Sequence, residues 1–273
     1  MNNLSFNIND FAKFKQLKYK ISMLTAYDFF SAKILEEAGI HTILVGDSMG
    51  MVIQGKKDTI SVTLDDVVYH TKAVRNGAPN TFIVADMPYL TYHTDIKDTV
   101  KNAGKLIVDG GANAVKVEIN HTDAIKHIEA LISAQIPVMG HIGLTPQSIN
   151  MFGGFKMQGK SQQQRNHILN IAKQLEQSGI CCVVLECIPH QLAKEITQLL
   201  TIPTIGIGSG ASCDGQVLVF HDIFGFNQSP PKFVKKYMDA NALIKNAVHQ
   251  YINDIQINIS YLNENPSEVR LCK

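Results

Sequence analysis

A single (β/α)8 TIM barrel, an α/β fold with eight parallel strands, is predicted by three features of the sequence. Helical patterns that end at glycine alternate with short apolar runs along the chain. The apolar runs are rich in β-branched residues, which is typical of strands buried on both faces. Eight such units in 273 residues average about 34 residues each, and the whole length matches a barrel of this type, which usually has about 250 residues.

Four of the units share one arrangement, in which a helix ends at glycine, an apolar run follows and an acid closes the run. The glycines suit the left-handed position just after a helix, and they are Gly39, Gly77, the pair Gly110–Gly111 and Gly179. The apolar runs are residues 43–45, 82–85, 114–117 and 182–185. The acids that follow are Asp47, Asp86, Glu118 and Glu186. Amphipathic stretches between the runs, such as residues 96–107, predict the helices of a strand–helix repeat.

The remaining elements complete the predicted barrel. Four further apolar runs are residues 21–25, 137–140, 203–207 and 217–220. We expect a short helix over residues 2–17 that caps the barrel bottom, a last helix over 239–256 and a polar tail over 263–273. No linker or break in composition divides the chain, so residues 1–273 are predicted to form one domain. The structural alternative is a doubly wound open sheet, but no dinucleotide-binding fingerprint follows the first strand.

Composition and charge argue against several classes of protein. Lysine plus arginine is 25 and aspartate plus glutamate is 24, a balance that disfavours nucleic-acid or membrane-surface binding. No apolar run approaches the roughly 18 residues of a membrane span, and the first residues lack a signal-peptide core. Five cysteines without a C-x-x-C pair are interpreted as reduced thiols. We therefore expect a cytoplasmic protein that acts on small molecules.

The acids at the strand ends predict a metal site. In a barrel the carboxyl ends of all strands meet on one face, so these four side chains are expected to share a common mouth. Four neighbouring carboxylates repel one another unless a positive group joins them. Mg²⁺ is the natural partner because it prefers oxygen ligands and keeps positions for water or substrate. The alternative is that each acid caps the following helix or pairs at the surface.

Three other residue types support a site at this face. Lys116 leaves its strand on the same side as Glu118, and a lysine in an apolar strand needs an anionic partner, either that acid or a substrate carboxylate. Ser48, between Gly46 and Gly50, is a hydroxyl donor suited to a carboxylate. His141 follows the run 137–140 and is interpreted either as an acid–base or hydrogen-bonding group or as a structural residue.

Residues 154–161 fit the phosphate-binding pattern G-x-x-x-x-G-K-[ST]. Such a loop needs a buried strand that leads directly into its first glycine. The preceding residues 147–153 are mixed and not strand-like. We therefore interpret this stretch as a long loop over the barrel mouth, a candidate lid, and not as a nucleotide site.

Taken together, the motifs resemble those of the ketopantoate hydroxymethyltransferase family over nearly the whole chain. The matching pieces are VGDSMGMV at 45–52, KVE at 116–118, HIGLTPQ at 141–147, FGGF at 152–155, LECIP at 185–189 and DGQ at 214–216. The resemblance implies a barrel of the phosphoenolpyruvate/pyruvate superfamily, in the cytoplasm and usually assembled as a homodecamer. It implies transfer of a hydroxymethyl group from 5,10-methylenetetrahydrofolate to 3-methyl-2-oxobutanoate, which gives 2-dehydropantoate for pantothenate biosynthesis.

The resemblance also implies roles for particular residues. One Mg²⁺ per subunit would be held by Asp47, Asp86 and Glu118. The 2-oxo acid would contact Asp47, Ser48, Asp86 and Lys116. Glu186 would accept the C3 proton in forming an enolate that Mg²⁺ stabilises. Apart from the resemblance, we expect His141 to support this network. Two alternatives stay open: another Mg²⁺-dependent enolate enzyme of this superfamily, similar to 2-methylisocitrate lyase and independent of folate, and a non-catalytic barrel that binds small molecules.

Overall fold

A computed structural model describes residues 6–256, which divide between two compact units, Met1–Phe220 and His221–Lys273. The larger unit contains a sheet that closes on itself, with strands neighbouring in chain order. Every neighbouring pair of strands is parallel, including the first with the last. The predicted (β/α)8 barrel is confirmed, and the closed sheet rules out the open doubly wound alternative.

The eight strands within the described residues are short and almost wholly buried. They are β1 (Ile21–Thr25), β2 (Thr42–Val45), β3 (Phe82–Asp86), β4 (Ala114–Glu118), β5 (Val138–Gly143), β6 (Cys182–Glu186), β7 (Thr204–Ile207) and β8 (Gly215–Leu218). Two strands differ from their predicted bounds. The fifth continues through His141, which was expected just after it, and the eighth begins and ends two residues before the predicted run 217–220.

Helices connect the strands and lie outside the sheet. Those of the larger unit are α1 (Ile8–Gln16), α2 (Phe29–Glu37), α3 (Met49–Val52), α4 (Leu64–Gly77), α5 (Ile96–Val108), α6 (Ile125–Ser133), α7 (Ile149–Phe152), α8 (Gln162–Gln177) and α9 (His190–Leu199). Short 3-10 turns lie at Thr122–Ala124 and Pro146–Ser148. No helix in the described range is long and apolar enough to cross a membrane.

Apolar side chains fill the amino-terminal end of the barrel. Phe11 of α1 is 1% exposed and belongs to the same buried cluster as inward-facing residues from all eight strands. Its ring packs edge-on against Phe82, with the centroids 5.4 Å apart. The Lys15 ammonium lies 2.9 Å from Asp214 Oδ2, in the turn before β8. Helix α1 therefore closes the bottom of the barrel.

The glycines at the helix ends have two different uses. Gly39, Gly111 and Gly179 have φ values of +78°, +78° and +90°, as expected just after a helix. Gly77, in contrast, is the last residue of α4 and does not have a positive φ. A Cβ there would collide with the backbone carbonyl of Phe29. The prediction for Gly77 is wrong because this glycine allows α2 and α4 to approach closely.

The smaller unit is described as far as residue 256. The short helix α10 (Phe220–Ile223) spans the boundary, and α11 (Ala240–Gln256) matches the predicted last helix to within one residue. Within this unit, the amide of Ala240 donates to the Phe224 carbonyl, which joins the start of α11 to the loop after α10. The predicted polar tail, residues 263–273, lies outside the described residues.

Candidate active site

Strand periodicity brings the predicted charged residues to one end of the barrel. On β4, Ala114, Lys116 and Glu118 alternate along the strand, so their side chains share one face. The inward series on β3 ends with Asp86, and that on β6 ends with Glu186. Apolar residues occupy the earlier inward positions of both strands. The interior thus changes from apolar at the bottom to charged at the carboxyl ends of the strands.

Three acids and Lys116 form a buried cluster. Asp47, just after β2, donates its backbone N–H to Asp86 Oδ2 at 3.0 Å. The Lys116 ammonium lies 2.9 Å from Asp86 Oδ1 and 3.8 Å from Glu118 Oε1. The whole residues are between 2% and 6% exposed. The acids expected at a common mouth are therefore brought together, and a lysine lies among them.

His141 connects this cluster to Glu186. Its Nδ1 lies 3.1 Å from the Lys116 ammonium and 3.5 Å from Glu118 Oε1, and its Nε2 lies 3.2 Å from Glu186 Oε2. The Glu186 side chain is 16% exposed, whereas that of Glu118 is 3% exposed. Glu186 is thus the acid of this group that solvent and ligands reach most readily.

The Ser48 hydroxyl is hydrogen-bonded to a tyrosine that follows β1. Its oxygen lies 2.7 Å from the hydroxyl of Tyr27, which follows β1 and is 1% exposed. Burial raises the pKa of Tyr27, with the charges of Asp86 and Asp47 adding to the effect, so the phenol is neutral at physiological pH. Tyr27 was not predicted as a site residue, although it lies between the carboxyl end of β1 and the start of α2.

Two further residues at the site were missed by the sequence analysis. Gln147 is 4% exposed and donates from Nε2 to Asp47 Oδ2 at 2.8 Å, and its backbone N–H donates to Glu118 Oε2 at 3.0 Å. The hydroxyl of Tyr92 donates to Gln147 Oε1 at 2.7 Å. Gln147 lies after β5 and ends the motif HIGLTPQ, but no role was assigned to it from the sequence because its partners are distant in sequence.

Burial and mutual repulsion perturb the ionisation of the cluster. Burial, together with the charges of Asp86 and Glu118, raises the pKa of Asp47 well above its usual range. Burial also raises the pKa of Asp86, although Lys116 opposes the shift. For Glu118, interactions with His141 and Lys116 outweigh burial and lower the pKa. One ammonium therefore compensates these acids only in part.

The two basic groups respond to the same acids. The charges of Asp86 and Glu118 outweigh burial and raise the pKa of Lys116, which stays protonated. Burial and the charge of Lys116 lower the pKa of His141, but contacts with Glu118 and Glu186 outweigh them and raise it to about 8. The site is therefore a buried array of acids in which both basic groups are held by carboxylates.

The donor atoms suit a divalent cation that binds with water or substrate. Across residues 6–256, no three His, Cys, Asp or Glu side chains are arranged as a ready-made metal cluster. The oxygen atoms of Asp47, Asp86 and Glu118 are nevertheless buried together, with Asp86 and Glu118 both close to the Lys116 ammonium. Mg²⁺ is commonly held by one or two carboxylates and retains several waters, so a complete protein cage is not required.

The stretch that imitates a phosphate-binding loop has a different structure. Helix α7 ends at Phe152 and is followed by Gly153 in the left-handed conformation, and Ser161 caps the start of α8 by accepting the Gln164 N–H. Between them the chain is a loop without a preceding strand at Gly154. Gln158 donates its N–H to the carbonyl of Cys187 at 3.0 Å, directly after Glu186. The loop thus lies at the carboxyl end of β6, as a loop over the mouth would.

Comparisons with known proteins find relatives over most of the chain. The family model described as ketopantoate hydroxymethyltransferase matches residues 5–259. A 3-methyl-2-oxobutanoate hydroxymethyltransferase from Clostridium botulinum is 54% identical over 249 residues, which cover 91% of this chain and 90% of that protein.

Solved structures share the barrel. Phosphoenolpyruvate phosphomutase from Streptomyces platensis subsp. rosaceus superposes with a TM-score of 0.63 at 13% identity, covering 92% of this chain and 88% of the other. 2,3-Dimethylmalate lyase, of the PEP mutase/isocitrate lyase superfamily, gives 0.61 at 15% identity, with coverages of 93% and 88%. These likenesses show the fold, and the family match shows the relationship by sequence. The chain belongs to the ketopantoate hydroxymethyltransferase family.

Proposed function

We propose that this protein transfers a hydroxymethyl group from 5,10-methylenetetrahydrofolate to 3-methyl-2-oxobutanoate and so forms 2-dehydropantoate for pantothenate biosynthesis. Membership of the family supports the transfer and the 2-oxo acid. The observation that carries the proposal is the buried Lys116 among three acids, with the more accessible Glu186 beside it through His141. This arrangement offers a cation for a substrate carboxylate and a separate carboxylate for proton transfer.

We assign the metal site to Asp47, Asp86 and Glu118, which would hold one Mg²⁺ per subunit. Three carboxylates face a single nearby ammonium, so the cluster has an excess of negative charge that a divalent ion would offset. When bound there, the ion would supply positive charge beside the 2-oxo group and stabilise the charge that develops on its oxygen.

The substrate carboxylate is proposed to lie against Lys116 and Ser48. Lys116 is fixed by Asp86, which holds its ammonium in one place. Ser48 is fixed by Tyr27, so its hydroxyl is directed before a ligand arrives. Asp47 and Asp86 lie beside this carboxylate position, and the hydrogen bond from the Asp47 N–H to Asp86 holds them next to each other. A short, anionic 2-oxo acid fits such a set because it presents a carboxylate and a polar carbonyl together.

Glu186 is proposed to accept the proton from C3 of the substrate. It lies on β6, on a different strand from the three metal-binding acids, and is the most exposed carboxylate of the group. A carboxylate held next to a protonatable imidazole is suited to general base catalysis. The resulting enolate carbon attacks the methylene carbon of the folate. A carbon–carbon bond forms, and both carbon–nitrogen bonds of the methylene carbon break in turn. Water supplies the hydroxyl oxygen, and the proton taken from C3 and one proton of the water go to the two nitrogens, which releases tetrahydrofolate.

The activity is tested by following 3-methyl-2-oxobutanoate after chelator treatment, with and without added Mg²⁺ and 5,10-methylenetetrahydrofolate. We expect consumption only when both are present. Turnover of a related acid without folate would favour the lyase alternative. Binding of the 2-oxo acid without any turnover would favour the non-catalytic barrel.

Exchange of the C3 proton with D₂O isolates the role of Glu186. Glu186→Gln is expected to bind the 2-oxo acid but to lose exchange by about 10²–10⁴-fold, the usual contribution of a general base. Glu195→Gln is the matched control, because Glu195 lies on α9 and pairs with Arg165 away from the cluster. NMR of the substrate C3–H measures the rate, and full exchange in Glu186→Gln would remove this residue from the base role.

Assembly and location belong to the same proposal. We propose a cytoplasmic homodecamer, for which the support is the resemblance of the chain to its family. The site residues described above all belong to one chain.

A further inference from the structure

Gln147 uses every polar group of its side chain inside the barrel mouth. Its Nε2 donates to Asp47 Oδ2 at 2.8 Å and to the Met87 carbonyl at 2.9 Å. Its Oε1 accepts from Tyr92 at 2.7 Å. Its backbone N–H donates to Glu118 Oε2 at 3.0 Å. Gln147, in the segment after β5, therefore contacts the segments that follow β2 and β3 and the end of β4.

The orientation of the amide is fixed by its partners. The Met87 carbonyl can only accept a hydrogen bond, so the nitrogen end of the amide must face it. The Tyr92 hydroxyl accepts the N–H of Glu118 at 3.3 Å, and its proton points to the nearer acceptor, Gln147 Oε1. Tyr92 is 2% exposed, so water does not compete for these bonds.

We propose that Gln147 is a positioning residue that holds Asp47 and Glu118 in the geometry needed for a divalent cation, and that Tyr92 acts through Gln147. One oxygen of each acid is engaged by Gln147, which sets the plane of each carboxylate. The inference rests on the proposed function, because it takes these acids as the metal-binding ones. Residues that orient metal ligands in this way commonly change metal affinity about 10–100-fold when they are replaced.

The test measures Mn²⁺ binding to the chelator-treated protein by the EPR signal of the free ion. Gln147→Met keeps the length of the side chain but removes the donor to Asp47, and we expect about 10–100-fold weaker binding. Gln216→Met is the matched control, because Gln216 lies on the exposed side of β8 and donates to the Gly210 carbonyl. It is expected to bind Mn²⁺ as the wild type does.

Tyr92→Phe and the double variant distinguish positioning from simple loss of structure. If Tyr92 acts through Gln147, Tyr92→Phe weakens Mn²⁺ binding less than Gln147→Met does, and the double variant is no weaker than Gln147→Met alone. Additive losses would overturn the role given to Tyr92. If Gln147→Met does not fold, as judged by thermal unfolding without metal, Tyr92→Phe decides alone, and unchanged affinity there would overturn the inference.

The outcomes separate this inference from the proposed function. If the wild type transfers the hydroxymethyl group while Gln147→Met binds Mn²⁺ normally, the positioning role is wrong and the function stands. If the wild type binds Mn²⁺ and Gln147→Met does not, but no hydroxymethyl transfer occurs, the positioning role stands and the function is wrong. A wild type that binds no Mn²⁺ contradicts both the metal site and the inference.

Discussion

At the scale of single residues, Glu36 shows how one carboxylate joins two distant segments. Its Oε2 accepts the backbone N–H groups of Asn80 and Thr81, each at 2.9 Å, and the Thr81 hydroxyl at 2.8 Å. Partial burial raises the pKa of Glu36, but these hydrogen bonds outweigh it and lower the pKa below its usual value. The ionised side chain therefore stabilises the connection between α2 and the segment before β3.

Glu36→Gln should lower the free energy of unfolding at neutral pH by about 1 kcal/mol, since the residue is only partly buried and solvent screens it. Because the folded-state pKa is lowered, the difference from wild type is full above the unfolded-state pKa of about 4.3 and disappears as pH falls through the folded-state value. Urea unfolding between neutral and acidic pH measures this. Glu37→Gln, which loses only an exposed pair with Lys33, should change little, and an equal loss there would contradict the prediction.

Residues were predictable when their chemistry conflicted with their surroundings in sequence. A lysine within an apolar strand and acids after apolar runs gave Lys116, Asp86 and Glu118. Gln147 and Tyr92 gave no such signal, because the hydrogen bond from Gln147 to Asp47 spans 100 positions and that from Tyr92 to Gln147 spans 55. Which polar residues meet across a barrel depends on the register of several strands together.

At the scale of elements, the ends of β5 and β6 determine where Glu186 lies. Gly143 has a φ of +100°, and a Cβ there would collide with the Glu186 carbonyl and lie 2.7 Å from Ile188 Cγ2. The N–H of Leu144 donates to the same carbonyl at 2.9 Å. The absence of a side chain at the end of β5 thus lets the backbone of Glu186 approach closely.

Gly143→Ala should destabilise the protein by about 2–4 kcal/mol, from backbone strain and overpacking together. Gly104→Ala in the middle of α5, where no atom lies within 4 Å of a new Cβ, should instead stabilise by about 0.5–1 kcal/mol. Thermal and urea unfolding measure both changes. A Gly143→Ala variant that is as stable as the wild type would show that the crowding at Gly143 is relieved by local movement.

The kinds and order of the elements were predictable, but two strand ends were not. Apolar runs mark buried strands, so the fifth was expected to stop before the polar His141. In the barrel, however, His141 pairs in register with both Glu118 and Val184. The eighth strand begins at Gly215, which pairs with Ile21 and Ile205. Backbone pairing with the neighbouring strands determines these bounds. The sequence of one strand alone does not show which residues of its neighbours it will pair with.

At the scale of the whole molecule, the alternation of helices with eight apolar runs, together with the length of the chain, predicted the closed barrel, because eight short strand–helix units have few other ways to bury both faces of a parallel sheet. The prediction of one domain leads to a single cooperative transition for the full chain in urea. Far-UV circular dichroism and proteolysis at fixed protein concentration measure it. A separate early transition, with cleavage confined to the region after residue 220, would instead indicate that His221–Lys273 unfolds independently.

The apolar side chains that fill the amino-terminal end of the barrel determine how ligands enter and leave. Phe11 and Phe82 are members of a packed cluster that fills the bottom, so the barrel interior is closed at that end and is not a through channel. Substrates that enter at the charged, carboxyl-terminal end of the barrel must therefore leave as products through the same opening. Product that stays bound blocks binding of the next substrate molecule, so product release can be the rate-limiting step of turnover.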